Sequence, residues 1–133
     1  MTYISLLEEL RTSEAKSFAF SIYSKGTPFI TEAYPLEFNK YFINGSEAPT
    51  LSLTEGQTYR FDQSDSSNSG HPLRLSTTAN GTHGGGSEYT TGVTTNGTPG
   101  SSGAYTQIVV ATGAPTLYYY CTNHSGMGGQ INT

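Results

Sequence analysis

From Tyr41 onward the sequence is a succession of short runs that place β-branched, leucine or aromatic residues at every second position, and this period-2 pattern restricts the fold most. Tyr41 to Ile43, Thr50 to Leu53 and Gln57 to Phe61 come first, and Glu55-Gly56 is expected to join the last two as a hairpin. Further on, Leu73 and Leu75 share a face, as do Ile108 and Val110 in the run Tyr105 to Val110. In Leu117 to Cys121 the shared face is Leu117, Tyr119 and Cys121, so if Leu117 points into a core, the thiol does too. Tyr118, Tyr119 and Tyr120 then read as core on one side of the strand and amphipathic surface on the other. Rows of this kind line the facing sides of two packed sheets, so the expected class is all-β, a β-sandwich. Only 12% of the residues are charged and 16 are glycine, which suits a turn-rich β protein better than a helical bundle.

A chain of 133 residues fits one main core with an appendage. The reading divides it into an N-terminal arm, residues 1–38, and a sandwich domain, residues 39–133. Leu6, Leu7 and Leu10 lie near helical spacing, with Ser5-x-x-Glu8 as a capping box, and predict a short helix. Apolar alternation around Lys25-Gly26 predicts a small hairpin, closed by Pro35. Such an arm either packs on the sandwich or docks the chain into a larger assembly.

A net charge of -4 offers no basic face for phosphates, so nucleic acid is not an expected partner. No apolar stretch is long enough to cross a bilayer, and the first residues are acidic where a secretory leader is basic, so neither a membrane span nor an export signal is expected. Asn44, Asn80, Asn96 and Asn123 begin N-x-[ST] matches, but three of these are Asn-Gly pairs, better read as turns. The Gly-rich segment from Asn80 to Gly103 is long for a structureless loop and is expected to hold a ribbon around Glu88 to Thr95. It is not a phosphate cradle, because no Lys follows and no helical pattern opens after it.

The chemistry is concentrated in Cys121-Thr-Asn-His124-Ser-Gly-Met127. A lone cysteine forms no internal disulfide, and Cys121 is therefore a buried small hydrophobe, a reactive thiol or a metal ligand. Its neighbours favour the last: a thiolate, an imidazole and a thioether recur at three-residue intervals beyond a strand end, and a Ser125-Gly126 turn can bring His124 and Met127 back over one point. Two imidazoles and a thiolate with a weak axial Met suit copper, which requires a second His. His71 is the best donor, at the start of the run 71–76 after the polar turn 62–70. The candidate metal set is thus His71, Cys121, His124 and Met127, around one Cu(I)/Cu(II) ion. His83, in Gly81-Thr-His-Gly-Gly-Gly86, reads as a solvent-facing loop residue or a substitute for His71. Zinc would want four strong ligands, Cys121 with three His, leaving Met127 idle. A Cys/His hydrolase needs an orienting group and an oxyanion hole that adjacent residues of one tight loop rarely supply, and no acid–base pair is left over, so no enzyme is expected.

Pro49-Thr-Leu-Ser-Leu-Thr-Glu-Gly-Gln-Thr-Tyr-Arg-Phe61 resembles the early hairpin of cupredoxins, and Cys121-x-x-His124-x-x-Met127 is similar to the short ligand loop of amicyanin. The resemblance spans about Tyr41 to Ile131. It implies a Greek-key sandwich of about eight strands with one type 1 copper held by the four residues above, Met127 axial, and electron transfer to a redox partner. Gly128-Gly-Gln-Ile131 would begin the last strand. Thr122 matches the polar residue that usually follows the Cys. Pro72 follows His71 where the family usually has an Asn that ties that strand to the ligand loop, and Asn123 stands where such loops usually have Pro. These two differences imply a loop without that clamp and less stiff when metal-free. The runs GTHGGGSEYTTGV and LYYYCTNHSGMGG resemble cupredoxin-like domains of marine bacteriophage proteins, which implies a virus-encoded protein. It would be a particle (virion) component, with neighbouring subunits as partners.

Overall fold

The structure, a computed structural model, describes residues 27–35 and 39–133. The helix expected near Leu6 and the hairpin expected around Lys25-Gly26 lie outside the described residues.

Two sheets face each other. The six-stranded sheet runs in the order β3 (Ser46–Glu47), β2 (Asn39–Ile43), β1 (Phe29–Pro35), β5 (Thr58–Asp62), β8 (Tyr105–Val109), β7 (Val93–Asn96). The four-stranded sheet runs β4 (Leu51–Ser52), β10 (Gly129–Asn132), β9 (Leu117–Cys121), β6 (Leu73–Ser76). Most pairings are antiparallel, but β1 pairs with β5 and β4 with β10 in parallel. Among the described residues no helix is long and apolar enough to cross a membrane.

The inward rows anticipated from alternation form the core. Leu73, Leu75, Ile108, Val110, Leu117, Tyr119 and Cys121 are all buried, joined by Tyr41, Phe61, Met127 and Ile131. Phe61 lies at its centre, its ring 5.0 Å from Phe29 and 6.1 Å from Tyr119, so the aromatic packing joins a strand of each sheet.

Three expectations are corrected. The Glu55-Gly56 turn does not close a hairpin: β4 and β5 belong to different sheets, and the turn carries the chain across the sandwich. The turn closes with Gln57 N–H on Thr54 O, while Gly56 N–H donates to Val110 O and Val110 N–H to Gln57 O, so it is tied to the residue that follows β8. The strand Phe29–Pro35, read as part of the arm, is an interior strand of the six-stranded sheet, paired with β2 from Thr31 to Pro35 and with β5 at Phe29 and Ile30. The ribbon expected over Glu88 to Thr95 is split: Glu88 makes a single bridge to Ser76, and β7 begins only at Val93.

Tyr120 also departs from expectation. It points away from the inter-sheet core yet is 1% exposed, because the 3-10 turn Gly81–Gly84 folds over it. Gly81 has φ +55, and a Cβ there would run into the Tyr120 ring, so glycine is what allows the loop to lie so close.

Phe61→Ala should cost about 3–5 kcal/mol through the cavity it leaves between the sheets, read from a denaturant unfolding curve of the metal-free protein.

Candidate metal centre

β9 delivers the thiol. Its inward row ends at Cys121, which is fully buried and opposite Leu73 in the β6–β9 register. The chain then turns through residues 122–128 before β10, and this loop carries His124 and Met127. His71 arrives from the other side, two residues before β6.

The structure brings His71, Cys121 and His124 together, each offering one ligand atom within 4.8 Å of the others, so the group could hold a metal ion. Cys121 Sγ is 3.7 Å from His71 Nδ1 and 3.6 Å from His124 Nδ1. Metal–sulfur bonds of about 2.3 Å and metal–nitrogen bonds of about 2.0–2.1 Å, at angles between tetrahedral and trigonal, separate S and N by about 3.6–3.8 Å. The spacing therefore fits a shared ion. The imidazole centroids are 4.6 Å apart, and both rings are half-buried above the buried sulfur. Desolvation first, and His124 second, hold the His71 imidazole below its usual pKa, which favours the neutral form that binds metal. Met127 is fully buried in the same core cluster as Cys121.

Hydrogen bonds fix the main chain around these residues. The His71 carbonyl accepts from Tyr41 OH at 2.7 Å and from Gln63 Nε2 at 2.8 Å. Gln63 is itself buried, and its Oε1 accepts from Leu73 N–H at 2.9 Å, so one side chain spans the turn into β6. Buried Asn68 continues the network, accepting from Gln63 and donating to Thr31 O, while its own carbonyl accepts from His71 N–H. Among the described residues no buried side-chain N or O lacks a hydrogen-bond partner.

The ligand loop is tied from three directions. Asn123 Nδ2 donates to Gly70 O at 2.9 Å, linking the loop to the residue before His71. The clamp expected to be missing beside Pro72 is thus replaced by one reaching out from the loop. Asn80 donates to Ser125 Oγ and accepts from Gly126 N–H, and Lys40 Nζ donates to Gly126 O. His83 is exposed, as its loop position suggested, but its Nε2 lies 2.8 Å from Cys121 O and its ring meets Tyr120 edge-on. None of these ties was expected from the sequence, because each joins residues far apart in the chain; the polar turn 62–70 was the only local hint.

Because the folded His71 gives up its proton more readily than the unfolded chain, unfolding takes up a proton, and the metal-free protein should lose stability as pH falls through about 6.5. Denaturant midpoints above and below that pH should show the loss, and His71→Gln should reduce it. No protein family, curated protein or solved structure matches the chain.

Proposed function

We propose that the domain is a cupredoxin-like, Greek-key module whose His71, Cys121 and His124, with Met127 as weak axial ligand, hold a single type 1 copper for electron transfer. The observation that carries this reading is the S–N spacing of 3.6 and 3.7 Å at a buried thiol. A thiolate with two imidazoles, and a thioether buried in the same core cluster, is a donor set that suits copper in both oxidation states. Zinc is less well served: the third imidazole, His83, turns its Nε2 to the Cys121 carbonyl instead of joining the cluster.

Copper held there supplies one-electron exchange between Cu(I) and Cu(II). The protein's part is to keep the donors still and dry. Cys121 ends a strand paired on both sides, His71 is fixed through its carbonyl, and Leu73 and Met127 are buried in the same core cluster as the thiol. Held groups with satisfied hydrogen bonds need little rearrangement when charge changes. His124, half-buried next to exposed Asn123 and Ser125, is the edge through which a redox partner would exchange electrons.

Purified protein titrated with Cu(II) should develop a strong visible thiolate-to-copper band at one equivalent with the paramagnetic resonance signature of a type 1 site, and Cys121→Ser should abolish both. Colourless binding that survives the substitution would sink this reading. The domain would then be a structural or interaction component of a phage particle, as the resemblance of its Gly-rich and C-terminal runs to phage domains suggests.

A further inference from the structure

We infer that Tyr41 is a positioning residue of the metal centre, joining two of its ligand residues, His71 and Met127, through its side chain and its own peptide group; the inference rests on the reading of that centre given above. The phenol donates to His71 O at 2.7 Å, and the Tyr41 N–H donates to Met127 O at 3.0 Å.

The position makes this more than local packing. Tyr41 lies on β2, in the six-stranded sheet, whereas His71 leads into β6, Cys121 ends β9 and Met127 leads towards β10, all in the four-stranded sheet. A single fully buried residue thus reaches from one sheet to two segments that flank strands of the other, those carrying His71 and Met127. Its partner carbonyl on His71 takes a second donor, Gln63 Nε2, so both acceptor directions of that oxygen are used and the peptide plane carrying His71 is fixed. Burial, and next the Cys121 charge, push the Tyr41 phenol well above its ordinary pKa. The group therefore stays a protonated donor to the His71 carbonyl. A carbonyl left with one donor in place of two holds the His71 peptide plane less firmly, so loss of the phenol loosens the placement of a ligand residue.

Tyr119 provides the comparison. It is also buried, its phenol also donates to a backbone carbonyl at 2.7 Å, and burial also raises its pKa, but its acceptor is Pro49 O, on no ligand residue. Tyr41→Phe and Tyr119→Phe thus each delete one buried hydroxyl of the same kind. Both variants should lose stability, yet only Tyr41→Phe should bind Co(II) about 10-fold more weakly and shift the sulfur-to-cobalt band. In the metal-free protein, Tyr41→Phe alone should quicken the reaction of Cys121 with a thiol reagent. If wild type binds Co(II) and the two variants match in affinity, band position and thiol reaction, the inference is overturned while the metal reading stands. If wild type binds neither Co(II) nor Cu(II), the metal reading falls, and this inference with it.

Discussion

The burial of the thiol follows from the burial of its row. Leu117, Tyr119 and Cys121 occupy one face of β9, and the free energy that draws the leucine and the tyrosine between the sheets holds the sulfur there too. Everything else at the centre is arranged around that fixed point. His71 can only reach it from the turn before β6, because β6 is the antiparallel neighbour whose Leu73 stands opposite Cys121. His124 and Met127 can only reach it from the loop that leaves β9. A thiol in an apolar core would ordinarily be an inert filler. Two imidazoles at its outer side change what it can do.

Polar groups near such a core carry a cost unless they are satisfied, and the centre meets that cost with backbone carbonyls and amides. Gln63 and Asn68 are buried amides at a turn, where an apolar residue would leave His71 O and Leu73 N–H with fewer partners. The ligand loop has no regular structure of its own, but its carbonyls and amides are used by Asn80, Lys40 and Tyr41. The loop is therefore shaped by side chains from strands and turns far from it in sequence.

That dependence explains which parts were legible beforehand. The strand rows were readable because alternation is local and the core accepts one face of each strand; Leu73, Leu75, Ile108, Val110 and Leu117 are where their spacing placed them. The meeting of His71 with Cys121 and His124 was readable because the donor types are rare in this chain. The turn at Glu55-Gly56 was misread because its residues suit a hairpin and a crossover equally well, and only the partner strand decides. Tyr120 was misread because strand alternation is silent about a loop returning to cover the outer face, as the turn at Gly81 does. Tyr41 looked like one more aromatic strand residue, since nothing near it in sequence marks the oxygen its phenol would find.

The parallel pairing of β4 with β10, which sets Leu51 beside Ile131, bears on the order in which the molecule is built. Lys40 and Tyr41 meet residues 126 and 127 across most of the described chain, so the centre is closed by contacts of very long sequence separation. Contacts of that kind bear a large loop-closure entropy and form late. During synthesis, the first strands of both sheets emerge well before the segment that supplies three of the four donors. A nascent or truncated chain can collapse around Phe61 and still lack the centre. The group that could hold a metal ion is thereby completed last, as a property that only the finished sandwich acquires.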